Sequence, residues 1–197
     1  MQRICVIDNS TLVNLTRLRH LQIFKHLRIL FRAIYVPAKT LEEYQKMLPF
    51  EPERKWVVDQ IQLAGHSFLV FCNRYDSIAL AFLKTTKGID PGEAEAAAQH
   101  KSLDSQFVLS DDINFINAIR STDKYVRVLG TLHIIAMLDF NKIVINPPDY
   151  LKSLYMHSPF TSSQLRTAYQ ETAKQLGVNI SKRELSEKTS LKSIGLK

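Results

Sequence analysis

Apolar positions along this chain fall into two alternating patterns. Short β-branched runs at Ile4–Ile7, Ile34–Val36, Phe68–Phe71, Phe107–Leu109 and Val126–Leu129 predict five strands, and segments of helical length separate them. That alternation predicts an α/β fold, a parallel sheet of about five strands joined by crossover helices. The runs are nearly continuous in apolar residues, as suits strands covered on both faces.

The helical segments carry their own start and stop signals. Ser10 and Thr11 are suited to cap a helix beginning near Leu12. Pro37 closes the second strand and leads a helix through Leu41, Tyr44 and Leu48, and Pro49 and Pro52 break the chain before a helix carrying Trp56, Val57, Ile61 and Leu63. Ile78–Leu83 predicts a short helix ahead of a turn at 88–92. The alanine-rich stretch from Glu93 to Lys101 has acids in its first turn, which favours a helix. Asp111 and Asp112 open a helix with Phe115, Ile116 and Ile119 on its apolar side, and Gly130-Thr131 leads into another that ends near Leu138.

Pro147-Pro148 marks a boundary. Beyond it lie helices over Tyr150–Met156 and Ser162–Leu176, the second stopped by Gly177. Leu151, Leu154, Tyr155, Leu165, Tyr169, Ala173 and Leu176 supply one packed face but too few residues for an independent core, so these helices should dock on the body or on a partner. From Ser181 the chain is polar and mostly basic, and reads as a mobile tail or a weak terminal helix. The expected organisation is a body over 1–146, a helical extension over 147–180 and a basic tail over 181–197.

Composition narrows the class. At 197 residues and 45% hydrophobic, the chain can bury one sizeable core. No apolar run reaches the roughly 20 residues that span a bilayer, and the start lacks a signal-peptide pattern, so a cytoplasmic protein without a membrane partner is expected. Cys5 and Cys72 each lie in an apolar strand run and are expected as buried free thiols. The net charge of +7, with a pI near 9.4, favours an anionic partner, nucleic acid foremost.

Four acidic positions carry the chemistry: Asp8, the Glu42/Glu43 pair, Glu93 and the Asp111/Asp112 pair. Each stands where a strand hands over to a helix or where a helix begins. In an open α/β sheet such positions converge on the crevice beyond the carboxyl ends of the strands. Carboxylates that converge without cations repel, and the usual remedy is a hard divalent ion, Mg²⁺ or Mn²⁺.

The order of the motifs resembles the PIN-domain nucleases over roughly residues 3–145. The pieces are Asp8-Asn9-Ser10 after the first strand, Val36-Pro37 through Glu42-Glu43-Tyr44, Gly92-Glu93-Ala94-Glu95-Ala96, Ser110-Asp111-Asp112, and Gly130-Thr131-Leu132. The similarity to prokaryotic VapC-like and GEAEA-type members implies a three-layer fold and a metal-dependent ribonuclease. In it Asp8, Glu43, Glu93 and Asp112 would be catalytic and would hold Mg²⁺ or Mn²⁺, with Asp111 a further candidate ligand beside Asp112. Ser10, Ser110 and Thr131 would support them. Water would attack in line and expel the 3′-oxygen, leaving a 5′-phosphate. The resemblance also implies an RNA substrate, an antitoxin partner and a homodimer. Two positions depart from the pattern: Ile116 stands where many GEAEA relatives have arginine, and His133 where glycine is common.

Blander uses compete. Asp8 and Glu93 suit helix starts, and Glu43 suits a solvated helix face. The histidines, His20, His26, His66, His100, His133 and His157, show no paired ligand spacing, although His133 lies near the expected cleft. Lys39 near Glu43 is a candidate phosphate contact. Arg17, Arg19, Lys25, Arg28 and Arg32 read as a charged face on two helices, and Tyr44, Phe50 and Trp56 as core or interface residues. Three rival functions remain: a receiver-like phosphoacceptor, a catalytically inactive PIN scaffold binding RNA or protein, and a structural interaction module. The receiver reading lacks the required lysine after the last strand, where Gly130-Thr131 stands instead.

Overall fold

The computed structural model describes residues 3–63, 68–123 and 126–196, so His66 lies outside the described residues. Five strands form one parallel sheet in the order β3-β2-β1-β4-β5: β1 (Arg3–Ile7), β2 (Phe31–Pro37), β3 (Leu69–Cys72), β4 (Phe107–Leu109) and β5 (Val128–Leu129). The strand positions follow the apolar runs, with ends shifted by up to three residues. Arg32, expected on a helix, lies in β2.

Side-chain alternation divides the interior into two cores and makes the fold three-layered. Cys5 and Ile7 of β1 face one core, shared with Phe107 and Leu109 of β4 and Leu129 of β5. Val6, Val108 and Val128, the intervening residues, face the other. The first core is covered by α1 (Asn9–Arg17), α2 (Ile23–Leu30), α3 (Ala38–Lys46), α4 (Arg54–Gln62) and α8 (Thr131–Phe140). The second is covered by α5 (Ser77–Lys84), α6 (Pro91–Leu103) and α7 (Ile113–Thr122). The alanines of α6 are buried through most of its length, which lets its backbone lie close to the sheet.

The C-terminal helices dock on this body. α9 (Pro147–His157) packs on α1 and α8, and α10 (Ser162–Leu176) packs on α8 and ends at Gly177, whose φ of 66° supplies the left-handed stop. Of the two expectations for the last segment, the terminal helix is the one found: α11 (Lys182–Thr189) packs on α10. Leu185 and Ile194 are buried in the first core, and Lys188 pairs with Asp139 of α8 at 2.8 Å. Two apolar anchors and one ion pair outweigh the polar composition around them.

The basic and aromatic residues also find local roles. Arg19 lies over Trp56 and Arg28 over Phe68, at 5.0 and 5.1 Å from the ring centroids. Tyr44 is fully buried, Trp56 is half-buried against the first core, and Phe50 and Leu63 are exposed. Cys5 and Cys72 are buried free thiols. Among the described residues no helix is long and apolar enough to cross a membrane.

A carboxylate cluster at the helix starts

The functional positions are built from the strand ends outward. Asp8 ends β1 and caps α1, which begins at Asn9; Ser10 and Thr11, expected as the caps, lie within the first turn. Its Oδ2 accepts from the Ser10 hydroxyl (2.7 Å), the Ser110 hydroxyl (3.0 Å) and the Ser10 amide (3.3 Å). Those bonds favour the carboxylate, but burial is the stronger influence and raises the pKa of Asp8.

Glu43 projects from α3, whose N-terminus is fixed by another acid: the Lys39 amide donates to buried Glu95 of α6 at 2.9 Å. Glu43 itself makes no side-chain hydrogen bond among the described residues. Desolvation, then the charges of Asp90 and Asp8, raise its pKa. Both Glu43 carboxylate oxygens lie against the backbone of Gly92, where an added Cβ would meet them at 3.3 Å. Its neighbour Glu42 is exposed, paired with Lys39 (2.9 Å) and Lys46 (2.8 Å), and drawn down to a pKa of about 2, chiefly by the hydrogen bond from Lys46. The two adjacent acids are thus separated by environment, and Glu43 is the one in the cluster.

Glu93 is the third residue of α6 and is buried. It forms a capping box with Asp90: the Glu93 amide donates to Asp90 Oδ1 and the Asp90 amide donates to Glu93 Oε2, both at 2.8 Å. Burial is the main cause that pushes its pKa up to about 8, with Asp90, Asp8 and Asp112 adding repulsion. Asp112 caps α7 through Oδ1, which accepts from the Asn114 and Phe115 amides at 2.7 and 3.1 Å. Its own amide donates to Ser110 Oγ.

Asp111 stands apart from this group. Its Oδ2 accepts from Asn14 (2.9 Å), the Thr11 hydroxyl (3.1 Å) and the Thr131 hydroxyl, while Oδ1 accepts from the Thr131 amide (2.7 Å). Thr131 accordingly holds Asp111 at the start of α8, and Ser10 and Ser110 hold Asp8. Both oxygens of Asp111 are thus occupied by protein donors. Gly130 accommodates the arrangement, since a Cβ there would lie 2.4 Å from Asp111 Oδ1.

The acid that sequence reading missed is Asp90. Its signal was present, because Asp-Pro-Gly-Glu has the Asp-x-x-Glu spacing of a capping box with proline at the first helical position. His133, expected near the cleft, instead ties α8 to α10: Nδ1 accepts from the Gly130 amide, and Nε2 lies 3.0 Å from Glu171, beside which Arg120 also sits at 3.6 Å.

Among the described residues no three acidic, histidine or cysteine side chains are disposed to hold a metal ion as they stand. The donor chemistry nevertheless fits a hard divalent cation. Every candidate atom is a carboxylate oxygen, and Glu93 and Asp112 each use one oxygen for a helix cap and, among the described residues, leave the other without a hydrogen bond. Asn9 Oδ1, next in the chain to Asp8, is buried with no partner among the described residues. An open cleft of about 690 Å³ runs from Glu93 and Asp112 along α7. A larger cavity of about 800 Å³ opens among Arg3, Phe107 and Val126, at the amino ends of the strands, away from the carboxylates.

A three-layer α/β protein with helix-capping acids gathered at the carboxyl ends of its strands is the class that fold and site define. The family model described as a PIN domain matches residues 4–175, and the chain belongs to that family. The matched stretch runs through α9 and into the last turn of α10. No curated protein and no solved structure matches the chain. PIN domains are generally nucleases that use divalent metal ions.

Proposed function

We propose that this protein is a Mg²⁺- or Mn²⁺-dependent endoribonuclease that hydrolyses RNA phosphodiester bonds with water. The observation that carries the reading is a gathering of like charges at one place: four acids without a salt bridge among the described residues, three of them with raised pKa values. Asp8, Glu43, Glu93 and Asp112 would hold the ion. When bound, it would lower the pKa of a water molecule and stabilise charge developing on the phosphate. Ser10 and Ser110 fix the orientation of Asp8, the capping box fixes Glu93, and the Ser110–Asp112 contact spaces Asp112 from Asp8. Glu43, whose side chain makes no hydrogen bond among the described residues, is suited to accept a proton from the attacking water.

A second reading, a catalytically inactive scaffold that binds RNA or protein, draws on the absence of a ready three-ligand arrangement among the described residues. Cleavage of single-stranded RNA separates the two. The enzyme should cut with Mn²⁺, stop in EDTA and recover on adding Mg²⁺; cleavage undiminished in EDTA would rule out the metal mechanism. Isothermal titration should show Mn²⁺ binding that Asp8→Asn removes. As the VapC-like part of the resemblance implies, we also propose a toxin role, in a homodimer silenced by an antitoxin. The exposed apolar residues Ile78 and Phe82 of α5 offer surface for such contacts. Growth arrest on expression, relieved by a neighbouring gene product, is the corresponding test.

A further inference from the structure

The cleft beside the carboxylates has two chemically distinct halves. One end holds Glu93 and Asp112. Away from them, α7 presents Asn114, Asn117 and Ser121, three and four positions apart and therefore on one helix face. The amides of Asn114 and Asn117 are exposed and, among the described residues, make no side-chain hydrogen bond. Across from them runs the segment from Lys87 to Asp90, in which Gly88 has φ +86°, a turn that only glycine adopts without strain. Lys87 is the cation lining the cleft, and it forms no ion pair among the described residues. By contrast Lys39 and Lys46 are occupied by Glu42.

An acidic cleft repels an anionic strand everywhere except where a cation answers it. Uncharged amides on the wall add donors and acceptors without adding repulsion, and such groups read base edges. A volume of about 690 Å³ suits a ligand of nucleotide size. We propose that this cleft is the path of the single-stranded RNA beside the cut. Lys87 would contact the phosphate next to the scissile one, and Asn114 and Asn117 would select the adjoining base. The inference rests on the nuclease reading and deepens it, assigning residues outside the carboxylate cluster to substrate positioning.

Fluorescence anisotropy with labelled 12-nucleotide RNA homopolymers, in EDTA so that no cleavage occurs, tests it on the full chain. Lys87→Met should weaken binding several-fold at low salt and lower the log–log salt slope by about 0.7, the value for one phosphate contact on a single strand. Lys101→Met, which removes the same charge from the cavity at the other end of the sheet, should leave slope and affinity close to those of the parent. Asn114→Ala with Asn117→Ala should keep the slope and reduce the spread of affinities among the homopolymers. With Mn²⁺ present, both cleft variants should raise KM more than they lower kcat. If the parent binds and cuts RNA while the cleft variants match it in slope, base preference and KM, the strand takes another path and the nuclease reading survives. If the parent neither binds nor cuts RNA, both readings fall. Unchanged melting temperatures certify that each variant is folded.

Discussion

Two acidic regions lie within a few residues of each other, and their chemistry differs. Around Asp111, four donors from α1 and from Thr131 occupy both carboxylate oxygens, so the negative charge is answered by the protein and serves to join α1, β4 and α8. Around Glu43, Asp90, Glu93 and Asp112, donors answer only part of the charge, and burial together with the neighbouring acids raises the pKa values of Glu43 and Glu93. Adjacent in sequence, Asp111 and Asp112 fall on opposite sides of this division. A saturated carboxylate is structural, whereas a half-satisfied one is available to a ligand.

The largest effect should come from the half-satisfied side. Glu93→Gln keeps the shape and removes the charge, and RNA cleavage with Mn²⁺ should fall about 10³-fold, roughly 4 kcal/mol of transition-state stabilisation. Its thermal stability without metal should not fall. A variant that cuts RNA at the parental rate would remove Glu93 from the site.

On the saturated side the pattern reverses. Asp111→Ala strips the partner from four donors and should cost about 3 kcal/mol in urea unfolding. Mn²⁺ affinity in the folded variant should stay near the parental value. A variant with full stability and lost metal binding would exchange the roles of Asp111 and Asp112.

How far these roles were legible in the sequence follows from the same contrast. The strands were readable because each is a short apolar run covered on both faces, and α10 because Gly177 stops it. Asp111 and Asp112 were indistinguishable because the donors that capture Asp111 lie 100 and 97 positions upstream, at Thr11 and Asn14, and 20 downstream at Thr131. Local pattern carries no information on such partners. Asp90 was overlooked although its spacing was local. The segment after Ser181 left a mobile tail and a terminal helix both open because average polarity concealed Leu185 and Ile194, two residues placed to meet the core only once α10 and α8 are packed.

Smaller effects sharpen the division. In metal-free protein the Glu93 carboxyl, raised from about 4.5 in the unfolded chain to about 8, keeps its proton longer in the folded state. Its contribution to stability is therefore full below about pH 4.5 and is lost as pH rises through about 8. Differential scanning calorimetry should show Glu93→Gln gaining on the parent across that window, with saturating Mn²⁺ reversing the order. A gap constant with pH would mean that Glu93 titrates normally.

Gly92→Ala should push on the Glu43 carboxylate, weakening Mn²⁺ binding several-fold at a stability cost near 1 kcal/mol. Smallest of all, Glu42→Gln removes an exposed acid bridging Lys39 and Lys46 and should leave the urea-unfolding midpoint close to that of the parent, with no loss of cleavage. A strong loss of cleavage there would transfer the ligand role from Glu43 to Glu42.

The strands shorten outward from the middle of the sheet: seven residues in β2 and five in β1, then four in β3 at one margin, three in β4 and two in β5 at the other. Exposed margins are where sheets recruit foreign strands and begin to aggregate. A two-residue border offers too few free backbone groups to template such growth, and a four-residue border offers little more. The wide, charged mouth of the cleft can stay open to solvent without a sticky seam beside it. Contacts made by side chains on the helices could be released without unravelling the sheet.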